Sequence, residues 1–165
     1  MLRIDRRIRR RGYRHADLAD MGTTLSCLVI TREHAIVAHV GDSRIYRLRR
    51  GYLTCLTVDH TFVQDMIFEG EVDPARAAEH PLRHLLTRVA GTAEPLEWVD
   101  TRIDPIRSAD RFLLCTDGLH NSLAPAHIAL VLNRPWQARR IASTLVADAL
   151  QAGARDNITA IVIKN

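Results

Sequence analysis

The sequence predicts an α+β domain built from antiparallel β-sheets with helices packed outside them. Short apolar or alternating runs joined by turns predict strands, and runs with helical spacing appear later in the chain. Strands and helices do not alternate as βαβ units would, which favours antiparallel pairing. A length of 165 residues and a hydrophobic content of 47% suit one domain with a substantial core.

The first third of the chain predicts four strands in an antiparallel meander. The runs are apolar or alternate in polarity, and Gly41-Asp42 and Arg50-Gly51 mark two of the turns between them. The predicted strands cover residues 24–31, 35–40, 43–49 and 52–57.

A helical middle and a mixed second half follow the meander. Phe62, Met66 and Ile67 recur at helical spacing before Gly70, and Asp73 is placed to cap a second short helix that ends before residue 80. The remaining predicted elements are strands at 96–103, 112–116 and 157–163, and helices at 125–132 and 135–151, each helix entered through a proline.

Positive charge is concentrated at the start of the chain. Residues 1–14 contain seven Arg and one Asp, whereas the other 151 residues contain 16 basic and 18 acidic residues. A solvated helix is the favoured interpretation of this segment, and binding of nucleic acid is the alternative, which we do not expect because the body is net acidic. No run is long and apolar enough for a membrane span or a secretion signal, so a cytoplasmic protein that does not bind membranes is expected.

Three cysteines and two tryptophans are interpreted as core residues. Cys27, Cys55 and Cys115 are far apart and lie in apolar runs, which does not fit the paired spacing of a zinc site. They are therefore expected to be buried small hydrophobic residues. Trp98 and Trp136 fall in strand and helix patterns and are also predicted to be core.

Three aspartates share one local setting. Asp42 follows the run AIVAHVG, Asp117 follows FLLCT, and Asp156 directly precedes NITAIVI, so each lies at the end of an apolar strand beside Gly or Asn. A carboxylate near a core is costly unless a cation meets it, and a divalent cation such as Mg²⁺ or Mn²⁺ prefers oxygen ligands. The alternative is that the dipeptides Asp117-Gly118 and Asp156-Asn157 only form turns.

Six ordered blocks resemble one known family over nearly the whole chain from residue 21 onward. The sequence is similar to the metal-dependent PPM-type (type 2C) protein serine/threonine phosphatases in their bacterial form. The blocks are MGTTL at 21–25, HVGDSRIYRLRRG at 39–51, DHTFVQDMIFEGEV at 59–72, HPLRHLLTRVAG at 80–91, DRFLLCTDGL at 110–119 and GARDNITAIVI at 153–163.

This resemblance implies a four-layer α-β-β-α sandwich with a Mn²⁺ or Mg²⁺ centre at one edge. Asp117 and Asp156 match two carboxylates of the core metal centre, and Asp42 matches the acid that helps to hold a third metal in bacterial members. The supporting residues would be Gly118, which allows close approach, Asn157, which shapes the turn of the second acid, and Gly41 and Ser43, which flank Asp42.

The implied reaction is hydrolysis of phosphoserine or phosphothreonine in proteins by a metal-activated water. No catalytic residue beyond the metal ligands is expected, and no Ser or Cys nucleophile is needed. The implied partners are phosphorylated proteins and a serine/threonine kinase whose action the phosphatase reverses.

The sequence departs from the family pattern at its beginning. The pattern's Asp-Gly-x-Gly-Gly motif is absent, so the domain is expected to be N-terminally incomplete, with a basic arm at 1–20 and the phosphatase-like domain at 21–165. Fewer metal ions would then bind, and exposed sheet edges would promote self-association. An inactive remnant or an interaction module is the alternative function.

Four further residues lie in or directly beside the matching blocks. Arg44 and Arg88 are candidates for contacting phosphate or for pairing with a carboxylate. His60 and His120 lie beside the matching blocks, and nothing in the sequence assigns either of them as a ligand.

Overall fold

The computed structural model describes all 165 residues, and the chain divides into two compact units. The first unit comprises residues 1–27, 38–42 and 58–102, and the second comprises residues 28–37, 43–57 and 103–165. Each unit combines segments that are distant in sequence. No helix has the length and apolar character needed to cross a membrane.

Helices open the chain and dominate its second half, with strands between them. The α-helices are α1 (Leu2–Arg14), α2 (Phe62–Phe68), α3 (Asp117–His120), α4 (Pro125–Leu132) and α5 (Ala138–Gln151). The strands are β1 (Leu25–Ile30), β2 (His34–Val40), β3 (Arg44–Arg49), β4 (Tyr52–Cys55), β5 (Asp100–Pro105), β6 (Arg111–Cys115) and β7 (Ala160–Lys164). Two short 3-10 helices cover Ala16–Leu18 and Pro74–Glu79.

The strands form two sheets, with the orders β1-β2-β5 and β4-β3-β6-β7. Every neighbouring pair in the four-stranded sheet is antiparallel. The predicted turn at Arg50-Gly51 closes the β3–β4 hairpin, with both residues at positive φ. The predicted α+β class with antiparallel pairing and flanking helices is confirmed.

Alternation along β3 and β6 directs side chains into two cores of the second unit. On one face, Ile45 and Phe112 pack with Ala35 and Val37 of β2. On the other face the same two strands pack against α4 and α5; the buried residues there include Tyr46, Leu48, Leu113, Ile128, Leu132, Ile141 and Leu145. Each fully buried large apolar side chain contributes about 1.5–3 kcal/mol. The second unit is therefore layered as sheet, sheet and helices.

The arginine-rich segment forms helix α1 and is anchored within the first unit. Asp5, only 2% exposed, accepts hydrogen bonds from the backbone N–H groups of Gly91 at 2.9 Å and Leu96 at 3.4 Å. Arg9 pairs with the same carboxylate at 3.1 Å. The helical interpretation of this segment is confirmed, while the boundary between residues 1–20 and 21–165 stays a prediction.

Three element boundaries differ by three or more residues from those predicted. The strand predicted over 96–103 begins only at Asp100, because the N–H of Leu96 is bonded to Asp5. The strand predicted over 157–163 begins at Ala160, because the N–H of Thr159 is bonded to the side chain of Thr116. The helix predicted from 135 begins at Ala138, after the N-cap residue Gln137.

The predictions for the sulfur-containing and indole side chains were partly wrong. Cys115 is buried as expected, but Cys27 and Cys55 are exposed. Trp136 packs partly buried against the core of the second unit. Trp98 is 55% exposed, and the guanidinium of Arg88 lies over its ring, 4.8 Å from the centroid.

Candidate metal centre

Asp117 lies where the buried strand β6 ends. The strand finishes at Cys115, Thr116 caps the following turn, and Asp117 is the first residue of α3. One carboxylate oxygen of Asp117 accepts a hydrogen bond from the N–H of Gly118 at 2.8 Å. The residue is half-buried, so its carboxylate stands at the margin of the core and is still accessible.

Asp156 reaches the same edge of the sheet because β7 pairs with β6. In this antiparallel register Cys115 lies opposite Ala160. Beyond the strands, the Thr116 hydroxyl donates to the carbonyl of Asn157 at 3.2 Å and accepts from the N–H of Thr159 at 2.9 Å. Thr116 thereby links the turn that carries Asp117 to the turn that carries Asp156.

Gly118 permits the two turns to touch. A Cβ atom built on Gly118 would lie 2.6 Å from the carbonyl oxygen of Asn157 and 3.1 Å from that of Asp156. Such a contact with backbone atoms cannot be relieved by rotating a side chain. Within its own turn the exposed Asp156 carboxylate accepts from the N–H of Asn157 at 2.6 Å.

Neither carboxylate on these turns has a protein cation as partner. Asp117 and Asp156 make only the hydrogen bonds to the next residue's N–H, and neither forms an ion pair. Two like charges on touching turns oppose each other unless a cation lies between them. A hard divalent cation that keeps several waters needs few protein oxygens, so this pair of residues fits one. Among all 165 residues, no three side chains of His, Cys, Asp or Glu form a ready-made metal cluster.

Asp42 belongs to the first unit, whereas Asp117 and Asp156 belong to the second. Gly41 precedes it at φ +106°, and a Cβ on Gly41 would lie 2.4 Å from the side chain of Thr24. Gly41 also exchanges two hydrogen bonds with His60: its N–H donates to Nδ1 at 3.0 Å, and its carbonyl accepts from the His60 N–H at 2.8 Å. The conformation of this turn is therefore tightly fixed. Ser43, the other predicted supporting residue, belongs to the second unit.

His60 connects the Asp42 turn to a buried polar network in the first unit. Because Nδ1 of His60 accepts from Gly41, its Nε2 carries the proton and donates to Asp100 at 3.1 Å. Arg88 donates to the other oxygen of Asp100 at 2.8 Å. Burial alone would raise the pKa of Asp100, but the hydrogen bonds and charges of His60 and Arg88 lower it below its usual value. Arg88 thus pairs with a carboxylate in this structure.

A second histidine stacks on the first. The rings of His39 and His60 lie 5.0 Å apart between centroids. His39 Nε2 is 3.1 Å from the carbonyl of Val58 and must donate to it, so Nδ1 accepts from the Ser26 hydroxyl at 2.8 Å. Burial, together with the neighbouring His60, lowers the pKa of His39 below 6.5. Sequence analysis missed His39 and Asp100 because their partners lie 12 to 40 residues away.

The two remaining candidate residues lie in the second unit. Arg44 donates to the hydroxyl of Tyr46 at 3.1 Å and makes further interactions. His120 ends the short helix α3 and also has a polar or electrostatic partner. Neither side chain is assigned a functional role by these contacts.

Comparison with known sequences decides the family. The sequence model described as Protein phosphatase 2C matches residues 2–152. The chain belongs to the protein phosphatase 2C family. The resemblance carried by the six sequence blocks is thereby confirmed, and the match to the phosphatase 2C pattern also includes helix α1.

Individual relatives and solved structures agree with this membership. The serine/threonine phosphatase stp of Listeria innocua is 34% identical over 148 residues, which cover 90% of this chain and 58% of the relative. The structure of the Mycobacterium tuberculosis serine/threonine phosphatase PstP/Ppp matches with a TM-score of 0.89 at 35% identity, over 96% of this chain and 66% of that one. The catalytic domain of PstP in complex with 2 manganese ions matches with a TM-score of 0.85 at 34% identity, over 96% and 65%.

The phosphatase 2C chain described here is shorter than these proteins. It spans about three fifths of the length of the Listeria relative. The high TM-scores confirm the predicted fold, a layered α+β arrangement of antiparallel sheets flanked by helices.

Proposed function

We propose that this chain acts as a metal-dependent protein phosphatase on phosphoserine and phosphothreonine, with its metal at the edge formed by Asp117 and Asp156. The observation that carries the proposal is the pair of carboxylates on touching turns, neither of which has a protein cation as partner. Membership of the protein phosphatase 2C family supports the reaction type.

The side chains at this edge would bind and position the metal. Asp117 and Asp156 supply carboxylate oxygens from two turns that Thr116 and Gly118 hold in contact. When bound, Mn²⁺ or Mg²⁺ supplies an activated water and neutralises charge on phosphoryl oxygens. Manganese is the ion named for the related PstP catalytic domain, which favours it here.

Asp42 is proposed as a third metal-binding acid. Its support is the match of the GDSR block to the family pattern and the rigid turn that presents it. His60 contributes by holding that turn through both backbone groups of Gly41, and Asp100, which also accepts from Arg88, holds His60. His60 would thus be a positioning residue for Asp42.

Phosphorylated proteins are the proposed substrates, and a serine/threonine kinase that produces them is the proposed functional counterpart. The relatives named serine/threonine phosphatases support this substrate class. Self-association through exposed sheet edges stays a prediction, supported by the exposed Val29 of the edge strand β1 and Ile161 of the edge strand β7.

Hydrolysis of p-nitrophenyl phosphate and of a phosphothreonine peptide by the purified chain tests the proposal. With Mn²⁺ present we expect turnover that chelator, Asp117→Ala or Asp156→Ala abolishes. Glu33→Ala is the matched control, because it removes an exposed acid of the same unit that makes no side-chain contact. Folded chain without turnover above that of Asp117→Ala would contradict the proposal and favour a non-catalytic interaction module.

A further inference from the structure

Helix α1 displays an unusual concentration of unpaired positive charge. Of its seven arginines only Arg9 has an acidic partner, Asp5. The other six make no side-chain hydrogen bond or ion pair with any residue of the chain; they are Arg3, Arg6, Arg7, Arg10, Arg11 and Arg14. In other parts of the molecule some guanidinium groups form ion pairs with carboxylates of the same chain, as Arg49 does with Asp110 and Arg88 with Asp100.

Several of these arginines line one groove beside the helix, which we call the α1 groove. Its volume is about 720 Å³. The lining residues that matter here are Arg7, Arg11 and Arg14 with the apolar Ile4, Ile8 and Met21. Ile8 and Met21 are half-buried, whereas the arginines are exposed, so an apolar strip runs beside a row of cationic side chains.

The α1 groove is held in a fixed shape by the inner side of the helix. Asp5 accepts hydrogen bonds from the backbone of Gly91 and Leu96, although it is almost completely buried. Ile8 packs so closely on Gly91 that a Cβ there would lie 2.3 Å from its side chain. Because the helix cannot turn without breaking these contacts, the positions from which the outer arginines project are fixed, while their exposed side chains stay free to adjust to a ligand.

The lining chemistry indicates which anion the groove suits. Guanidinium groups bind phosphate through two parallel hydrogen bonds, and here they stand beside apolar side chains. An extended phosphopeptide offers both a phosphate and an apolar side chain, whereas proteins that bind single-stranded nucleic acid stack successive bases on several aromatic side chains. His15 is the one aromatic ring among the lining residues of the α1 groove, and Tyr13 lies at a neighbouring depression that shares Arg10 and Arg14 with it.

We propose that the α1 groove binds a phosphorylated segment of a protein substrate, with Arg7, Arg11 and Arg14 contacting the phosphate and Ile8 and Met21 contacting a neighbouring apolar side chain. The inference rests on the proposed phosphatase function for the nature of its ligand. It adds a substrate-binding surface in the first unit, whose lining includes none of the acids that would hold the metal.

Peptide binding without hydrolysis tests the inference. A fluorescent ten-residue peptide with one phosphothreonine between apolar residues is titrated with the full chain carrying Asp117→Ala, in chelator and 150 mM salt, and anisotropy is recorded. Chelator removes metal-dependent binding, and salt screens unspecific attraction. We expect the phosphopeptide to bind at least tenfold more tightly than the same peptide with threonine.

Substitutions on α1 then locate the binding surface. Arg11→Glu is expected to weaken phosphopeptide binding at least tenfold, and Arg11→Lys severalfold, because lysine keeps the charge but loses the paired hydrogen bonds. Arg3→Glu is the matched control, since Arg3 lies on the same helix outside the groove, and it should change affinity less than twofold. Circular dichroism confirms that α1 persists in each variant.

Three outcomes would overturn the inference. The first is an equal loss of affinity in Arg3→Glu and Arg11→Glu, and the second is equal affinity for the unphosphorylated peptide. The third is displacement of the labelled peptide by an oligonucleotide at a lower concentration than by unlabelled phosphopeptide.

Failure of this inference is distinguishable from failure of the proposed function. Hydrolysis with no binding at the α1 groove rejects only the groove, whereas binding at the groove with no hydrolysis in the unsubstituted chain rejects only the phosphatase activity.

Discussion

Strand β6 has an aspartate just before its first residue and another just after its end, and the two carboxylates have opposite surroundings. Asp110 precedes β6 with its side chain completely buried, and Arg49 binds both of its oxygens, at 2.7 and 2.6 Å. The N–H of Arg107 donates to it as well, at 2.8 Å. Asp117, beyond the other end, receives only the N–H of Gly118 and no cation.

The difference separates a structural carboxylate from one available to a ligand. Burial alone would raise the pKa of Asp110, but the Arg49 hydrogen bonds and charge, with the Arg107 N–H, lower it below its usual value. That carboxylate is satisfied within the chain and has no further bond to offer. At the Asp117 end the same strand leaves a carboxylate uncompensated, next to the uncompensated Asp156, and this is the arrangement that a divalent cation requires.

Removing Arg49, the cationic partner of Asp110, should have the largest effect on stability. Arg49→Ala leaves the buried Asp110 without its charged partner, and we expect a loss of about 3–5 kcal/mol in the free energy of unfolding. Asp117→Ala, measured without metal, should change that free energy by less than about 1 kcal/mol, because no protein cation depends on it. Urea denaturation followed by circular dichroism measures both. Equal losses in the two variants would abolish the distinction between the two ends of β6.

Adding a methyl group at Gly118 should directly disturb the turns that carry Asp117 and Asp156. Gly118→Ala places a methyl group against the backbone carbonyls of Asp156 and Asn157, so the two turns must separate. We expect a destabilisation of about 1–3 kcal/mol and weaker Mn²⁺ binding. Gly22→Ala is the control, since a Cβ there meets its nearest atom at an ordinary 3.5 Å. Denaturation and calorimetric Mn²⁺ titration follow the change, and unaltered metal affinity in Gly118→Ala would count against the site.

Addition of Mn²⁺ should stabilise only those variants that retain both Asp117 and Asp156, the two carboxylates without a protein cation as partner. At a Mn²⁺ concentration of 100 times the dissociation constant, binding to the folded state adds about 2.7 kcal/mol. The Tm of the unsubstituted chain should therefore rise with Mn²⁺, and the increase should disappear in Asp156→Ala while persisting in Glu33→Ala. Thermal scans with and without Mn²⁺ show this, and an equal increase in Asp156→Ala would place the metal elsewhere.

The smallest expected effect concerns the buried imidazole of His39, which makes both of its hydrogen bonds only in the neutral form. Because burial and His60 lower the pKa of His39 in the folded state, the unfolded chain binds this proton more readily. The stability that neutral His39 contributes to the free energy of unfolding is fully present at a pH above 6.5, the ordinary pKa of histidine. It is lost as the pH falls below that value, by at most about 1.4 kcal/mol per pH unit.

Stability measured between pH 5 and 7 isolates this contribution. His39→Gln should flatten the pH dependence of the free energy of unfolding in that range. The control is His34→Gln, which changes an exposed histidine on the same strand and should leave the slope intact. A slope that is the same in all three proteins would show that His39 does not titrate in this range.

Local patterns were sufficient to predict most elements of the fold. Helix 125–132 was predicted with the bounds found, because a proline defines its start and an apolar run its extent. The strand predicted over 96–103 failed in its first half, since Asp5, 91 residues away from Leu96, takes the N–H that pairing would need. A sequence pattern read over a few neighbouring residues cannot predict that a side chain 91 residues away binds the backbone N–H of Leu96.

For the candidate site, sequence predicted the acids and not their environment. The position of Asp117 just beyond a strand followed from the apolar run before it, whereas Asp156 lies four residues before β7 and not directly before a strand as predicted. Their contact through Gly118, by contrast, depends on the β6–β7 register, which only the folded chain defines. The His39–His60 stack was missed for a related reason, because two histidines 21 residues apart give no periodic signal.

The hydrogen bonds from Gly91 and Leu96 to Asp5 also bear on how this protein is synthesised. Helix α1 is synthesised before its anchoring groups, which lie 86 and 91 residues further along the chain. At a translation rate of about 5–20 residues per second, α1 waits roughly 5–20 s before it can dock. During that interval its unpaired arginines are exposed on a nascent chain beside ribosomal RNA, to which they are electrostatically attracted. Docking of Asp5 onto both groups therefore has to wait until Leu96 has been synthesised.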